Sequence, residues 1–341
     1  MSLWAVILAG GVGSRFWPIS TPSLPKQLLP LVTDAPMLRD AVERLLPLVP
    51  AERLLILTNE LLAPQVAALL PELPAANLIA EPRPAGTAAA LTWASRLVAA
   101  RDPGATLISV HADWAIADPE GFRTTLLRAA NVATSEDVLV TVGISPSRPD
   151  PGFGYIEPGG AIGGAAQRVA RFLEKPDRTR AAALIERGCL WNSGIFVWQA
   201  SRFLSEVRAH CSEVARAIDE PTLTGFFAGV QSISVDVGVL ERSDRVAVVP
   251  GSFGWDDVGT WAALGRVRPH DAANNALHGD VTAVRASGNV AFSAGPSVVL
   301  YGVNDLVVVT IDGLTVVTTP EASADLKTLL DALPPRLRDR A

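Results

Sequence analysis

The sequence predicts an α/β protein: a mixed, mainly parallel sheet with crossover helices, followed by a small C-terminal β module. Three observations carry this. Short apolar runs of strand length alternate with segments of helical period over the first part of the chain. Gly10, Gly11 and Gly13 directly follow the first of those runs, at the carboxyl end of a strand, where open α/β sheets bind ligands. Past about residue 275 the apolar runs shorten and crowd together, with Asn304-Asp305 and Asp312-Gly313 as turn signals between them. The expected division is residues 1–268 for the α/β domain and 269–341 for the β module, the latter of hairpin or β-helix type and ending in a helix.

Ala5 to Ala9 is the first strand, and Leu38, Val42, Leu45 and Leu46 give 37–49 a helical period. Residues 53–58 read as the second strand, 61–70 as a helix and 77–80 as a third strand. Pro82, Pro84 and Gly86 hold the next segment in a loop before a helix over 88–100. A buried strand over 106–110 then ends in His111-Ala112-Asp113-Trp114. Asp118, before Pro119-Glu120, reads as a helix N-cap. After a strand over 138–143 the alternation weakens, with strands at 169–173, 190–198 and 246–250 and a helix at 179–187. Short strands follow at 281–284, 290–292, 298–301, 306–310 and 314–318, and Leu326, Leu329, Leu330 and Leu333 mark one face of a last helix.

Composition bounds the function. The 341 residues carry 29 basic and 35 acidic side chains, so a surface for nucleic acid is not expected and any phosphate site must be built from a few placed cations. The apolar run from Leu3 to Ala9 is too short for a signal peptide, and no run is long enough to span a membrane. Two widely separated cysteines form no metal or redox motif and point to a reduced, cytoplasmic setting. Of the basic residues 26 are Arg and three are Lys, and two of those lysines sit beside prolines, in Pro25-Lys26-Gln27 and Glu174-Lys175-Pro176. A chain that otherwise uses Arg keeps a compact ammonium at two rigid positions, as reaching a single phosphate oxygen requires.

The glycine segment reads as a phosphate loop, since residues without Cβ let successive amides approach an anion, with Ser14 and Arg15 adding a hydroxyl and a charge. It is neither the dinucleotide fingerprint, which needs Gly where Phe16 stands, nor a P-loop, which needs Gly-Lys-Ser/Thr. Asp113, at the carboxyl end of a central strand, is a candidate ligand for Mg²⁺, which favours one or two carboxylates plus substrate phosphates; a turn aspartate is the plainer reading. Asp257 is the candidate second carboxylate, and its neighbour Asp256 implies that one of the two has a cationic partner. Asn192-Ser193-Gly194 sets a polar triplet in an apolar strand, to meet either sugar hydroxyls or local backbone.

Taken together, LAGGVGSRFWP with PKQ, EPRPAGTAAAL, SVHADW, GFGYIEPG, FLEKPD, LWNSGIFVW and FGWDDVGTW run in order over residues 8–261. This set resembles the sugar-1-phosphate nucleotidyltransferase family, and within it the branch that joins GTP to mannose 1-phosphate. The resemblance implies a Rossmann-like sheet with helices on both faces and a Mg²⁺-dependent in-line attack of the sugar phosphate on the α-phosphorus, releasing pyrophosphate. It implies that Leu8, Gly10, Gly11, Gly13 and Ser14 line the nucleotide, with Glu81, Gly86 and Thr87 near the base or ribose. Arg15, Lys26 and Lys175 would be the catalytic cations on the β/γ-, α- and sugar phosphates. Asp113 and Asp257 would hold the metal, and Gly154, Glu174 and Asn192 the sugar. A homodimer is left open. Three positions depart from the family pattern: Trp114 for the usual His, Ala-Gly-Thr-Ala-Ala over 85–89, and Asp256 for the usual Ser. A UTP- or dTTP-dependent enzyme acting on glucose 1-phosphate, and a catalytically silent nucleotide-sugar-binding subunit, are the alternative readings.

Overall fold

The computed structural model describes residues 2–11, 16–163 and 165–338. In chain order the elements are β1 (Leu3–Leu8), α1 (Met37–Leu45), β2 (Leu54–Asn59), α2 (Ala63–Leu69), β3 (Leu78–Glu81), α3 (Gly86–Arg101) and β4 (Thr106–His111). A two-residue strand β5 (Ala115–Ile116), α4 (Pro119–Ser135), β6 (Leu139–Ile144), β7 (Tyr155–Ala161), β8 (Gln167–Leu173), α5 (Arg178–Glu186) and β9 (Leu190–Gln199) follow. Then come α6 (Ala200–His210), α7 (Ser212–Ala215), α8 (Leu223–Gly229), β10 (Val246–Gly251), β11 (Trp255–Asp256) and α9 (Trp261–Val267). The last part holds β12 (Ala276–His278), β13 (Val281–Val284), β14 (Val290–Ala294), β15 (Val298–Tyr301), β16 (Val307–Ile311), β17 (Leu314–Thr318) and α10 (Leu326–Ala332). The chain gathers into two compact units, one of Met1–Gly10, Val42–Ala112 and Asp118–Trp255, the other of Gly11–Ala41, Asp113–Ala117 and Asp256–Ala341.

The first unit is built on a nine-stranded sheet in the order β3-β2-β1-β4-β9-β6-β10-β8-β7. Only β8 and β9 run against the other strands. The order reverses at β1, which lies between β2 and β4, so the crevice for a ligand opens at the carboxyl ends of β1 and β4. Leu8 stands opposite both Leu57 and His111 there, and the chain leaves β1 directly into Gly10. One face of the sheet presents Trp4, Val6, Leu8, Leu55, Leu57 and Leu107 to α3, α6 and α8. The alanines of α3 let that helix lie close, and Trp198 stacks on Phe203 with ring centroids 4.0 Å apart. Helix α4 packs on β4, β6, β9 and β10, and none of its buried residues belongs to that core, so it covers the opposite face. As expected, Asp118 caps α4, its carboxylate accepting the Gly121 N–H at 2.9 Å. Residues 200–229, to which sequence patterning assigns no element, form α6 to α8.

The second unit has its own core of Phe16, Leu29, Leu31, Met37, Val258, Trp261, Leu264, Phe292, Val307 and Val309. Its C-terminal strands stack as parallel coils, β12-β14-β16 on one side and β13-β15 on another, and the Asp312-Gly313 turn folds β17 back on β16 as a hairpin. Both expected types are thus present, coil first and hairpin last. Two buried asparagines join the coils. Asn275 Oδ1 accepts the Asn289 N–H at 3.0 Å and its Nδ2 at 2.9 Å, and Asn289 Oδ1 accepts the Leu306 N–H at 3.0 Å. Buried amides of this kind are tolerable only when their hydrogen bonds are made, as here.

Candidate active site

Lys26 opens a single buried turn, Lys26–Leu28, just after Pro25. Its ammonium lies 2.9 Å from Asp113 Oδ2 and donates to the carbonyls of Asp257 at 3.0 Å and Val258 at 3.2 Å. Three protons meet three acceptors, around a lysine side chain only 10% exposed. Gln27, next in sequence, donates from Nε2 to the Gly11 carbonyl at 2.9 Å and so ties the glycine segment to the same turn. The two carbonyls are presented by a strained bend. Val258 has φ 47°, which is costly for a β-branched residue, yet its side chain is fully buried. Asp256 holds that bend: Oδ1 accepts the Val258 N–H at 2.9 Å, and Arg266 pairs with the carboxylate at 2.8 Å. Asp256 thus has the cationic partner that two adjacent acids call for.

Gly10 and Gly11 face open space where a Cβ would stand, so the chain's own packing does not require either glycine. Gly13, Ser14 and Arg15 lie outside the described residues. Leu8 packs into the core, and its carbonyl accepts the Ala112 N–H at 3.0 Å.

Glu81 ends β3, and burial pushes its carboxyl up to about 7. Gly86 and Thr87 hold neighbouring chain: Ala88 N–H donates to the Ile233 carbonyl at 3.2 Å, and Val235 N–H to Thr87 Oγ1 at 2.9 Å. Gly86 has φ 79°, and a Cβ on it would lie 2.2 Å from the Ile233 oxygen. Gly86→Ala is therefore expected to lose about 3 kcal/mol or more of stability, from a left-handed non-glycine residue plus a backbone clash. Urea unfolding measures this, and an unchanged midpoint would contradict the close packing on residue 233.

Gly154, Glu174 and Asn192 come together. A Cβ on Gly154 would sit 3.4 Å from Glu174 Oε2 and 3.8 Å from Asn192 Cβ, and Asn192 N–H donates to the Gly154 carbonyl at 2.9 Å. Lys175 adopts the left-handed region at φ 32°, with an exposed side chain whose ammonium lies 3.4 Å from Glu174. Asp236, which sequence reasoning does not single out, joins this group, its Oδ1 accepting from Asn192 Nδ2 at 2.7 Å. A lone acid in the apolar stretch Val235-Asp236-Val237 is the signal available in the sequence. Among the described residues no three His, Cys, Asp or Glu side chains cluster as a metal site.

An open, mainly parallel sheet with a glycine turn after its first strand, and a lysine locked to an aspartate, define a nucleotide-handling transferase. Residues 4–274 match the model of the nucleotidyl transferase family, and the chain belongs to that family. It is 35% identical to the mannose-1-phosphate guanylyltransferase of Salmonella muenchen over 96% of this chain and 72% of that one. To the enzyme of the same name from Escherichia coli K12 it is 34% identical, over 97% of this chain and 73% of the relative. Its structure is similar to the crystal structure of mannose-1-phosphate geranyltransferase from Thermus thermophilus, with a TM-score of 0.89, 32% identity and coverage of 97% and 99% of the two chains.

Proposed function

We propose that this chain is a mannose-1-phosphate guanylyltransferase, forming GDP-mannose and pyrophosphate from GTP and mannose 1-phosphate. The observation that carries the reading is the Lys26–Asp113 pair beside the Asp257 and Val258 carbonyls, in a chain with guanylyltransferase relatives along nearly its whole length. In the reaction an oxygen of the sugar phosphate attacks the α-phosphorus of GTP, and the bond to the bridging oxygen breaks as pyrophosphate leaves. Such a transfer needs alignment and charge neutralisation more than a nucleophilic side chain.

Lys26 moves its charge from Asp113 onto the α-phosphate, Arg15 holds the leaving β/γ-phosphates, and Lys175 holds the sugar phosphate. Gly10, Gly11, Gly13 and Ser14 let the backbone approach the triphosphate, which accords with the open space at Gly10 and Gly11. Nucleotidyl transfer in this family uses a divalent metal. Asp113 and Asp257 suit Mg²⁺, since two carboxylates leave its remaining positions to water and phosphate oxygens, and the bound ion would neutralise phosphate charge. Residues 1–268 carry the transfer and 269–341 buttress it, with a homodimer left open. No helix of the described chain is long and apolar enough to cross a membrane, and the cytoplasm is the setting we propose.

Glu81 supplies base recognition, its carboxylate accepting from guanine N1–H and N2–H. Only the ionised form accepts both, and its carboxyl stands at about 7. The KM for GTP is therefore expected to fall about tenfold as pH rises from about 6 to about 8, and Glu81→Gln should flatten that slope. The stability linkage has the opposite sense. A raised carboxyl favours the fold at low pH, and that contribution is lost as pH rises through about 7, so Glu81→Gln should melt higher than wild type at alkaline pH. An unaltered KM slope in the variant removes Glu81 from the base.

Pyrophosphate release with Mg²⁺ across a panel of nucleoside triphosphates and sugar 1-phosphates tests the whole reading. Release with UTP or dTTP and glucose 1-phosphate, but not with GTP and mannose 1-phosphate, would overturn the substrate assignment. No release with any pair would overturn the enzyme.

A further inference from the structure

The three acceptors around the Lys26 ammonium are not alike. Asp113 is charged, whereas the carbonyls of Asp257 and Val258 are neutral. A neutral acceptor directs an ammonium proton without cancelling its charge. In the transfer proposed above, the bond to Asp113 is the one given up to a phosphate oxygen. The two carbonyls are then the fixed side of the pivot on which the lysine turns. Where that pivot stands depends on one residue. Only the φ and ψ of Val258 lie between the two carbonyls, so their convergence on one nitrogen is set by its left-handed conformation.

A β-branched residue does not hold that conformation unaided. Asp256 supplies the hold from two residues upstream, as an Asx turn, its Oδ1 accepting the Val258 N–H at 2.9 Å. The carboxylate is in turn gripped by a two-pronged arginine. Arg266 Nε donates to Oδ2 at 2.8 Å, and Nη2 donates to Oδ1 at 3.1 Å. Arg266 stands on α9, whose Trp261 and Leu264 share a core with Val258. Trp261 meets the Phe16 ring edge-on at 5.0 Å and donates from Nε1 to the Trp17 carbonyl at 3.0 Å. Every link from α9 to Lys26 lies within the second unit.

We infer, on the transferase reading above, that Asp256 and Arg266 form a positioning pair for Lys26. By fixing the Val258 bend they fix the two carbonyls about which the lysine swings from Asp113 to the α-phosphate. Neither residue touches substrate, and their effect on the rate runs through Lys26.

The test is a double-mutant cycle between Asp256 and Lys26, read in pyrophosphate release and in melting temperature. Asp256→Ala lowers kcat roughly 10- to 100-fold, the range expected when a reacting group is displaced by about 1 Å. The KM for mannose 1-phosphate stays within about twofold of wild type, since no contact to the sugar phosphate is removed. Placed on Lys26→Ala, the same change costs less than about twofold, because the residue it positions is already gone. A purely structural lesion would lower the rate equally in both backgrounds. Asp256→Asn keeps an oxygen for the Val258 N–H and restores most of the loss. Arg266→Ala, at a side chain 40% exposed, gives a smaller fall that also vanishes on Lys26→Ala, and it carries the test if Asp256→Ala does not fold. Equal falls in both backgrounds, an Asp256→Ala rate within about twofold of wild type, or an Asp256→Asn as slow as Asp256→Ala each overturn the positioning pair. A wild-type protein that releases no pyrophosphate from any substrate pair overturns the transferase reading first, and the positioning pair falls with it.

Discussion

Lys26→Ala is expected to lower turnover by roughly 10³-fold, the size of effect seen when a single charge that stabilises a transferring phosphoryl group is removed. It should also weaken the fold. The ammonium is the shared donor to Asp113 Oδ2 and to the carbonyls of Asp257 and Val258, in a setting with little solvent. Without it, a carboxylate and two carbonyls lose their partner together, at a cost of about 2–4 kcal/mol. Lys26→Arg separates the two effects. Arginine retains the charge, but its planar fork cannot direct three protons from one point at three converging acceptors. It should therefore recover much of the stability and little of the rate. Pyrophosphate release and urea unfolding on the same preparations measure both. A near-normal rate in Lys26→Ala would remove this lysine from the transfer step.

Asp113→Ala comes next in size, again with a fall of roughly 10³-fold expected in turnover. The aspartate has two duties that Asp113→Asn pulls apart. The amide oxygen can still accept from Lys26, so the fold should stay near wild-type stability, while the charge that attracts a divalent cation is gone. Titrating turnover against Mg²⁺ should then give a half-saturating concentration at least about tenfold higher in Asp113→Asn. If that concentration is unchanged, Asp113 serves Lys26 alone.

What can be read in advance follows the range of the interactions involved. Strands 281–284, 298–301 and 314–318 match expectation to the residue, because short apolar runs at close spacing with turn residues between them are wholly local information. Helices α6 to α8 escape such a reading, although Phe203, Val207, Phe226 and Phe227 are core residues. Breaks at Cys211 and at Pro221 divide this stretch, and α7 and α8 are only four and seven residues long. Within the site, Lys26 stands out because lysine is scarce, and Asp113 because it follows a strand; the structure sets the two 2.9 Å apart. Asp236 cannot be paired with Asn192 from sequence, since only the fold closes the distance between them. The Val258 carbonyl leaves no trace at all, because a backbone atom has no residue type to signal it.

The asparagines that join the parallel coils make the C-terminal strands a linear array. Each rung takes its polar satisfaction from the next, Asn275 from Asn289 and Asn289 from the amide of Leu306. Stability in such an array is a sum over neighbours, and a lesion acts as a break in a line, separating what lies on either side while leaving each part internally paired. The region therefore behaves thermodynamically as a spring of coupled links, able to fray rung by rung from an end. The nine-stranded sheet differs in that helices packed on both faces bridge several of its strands at once.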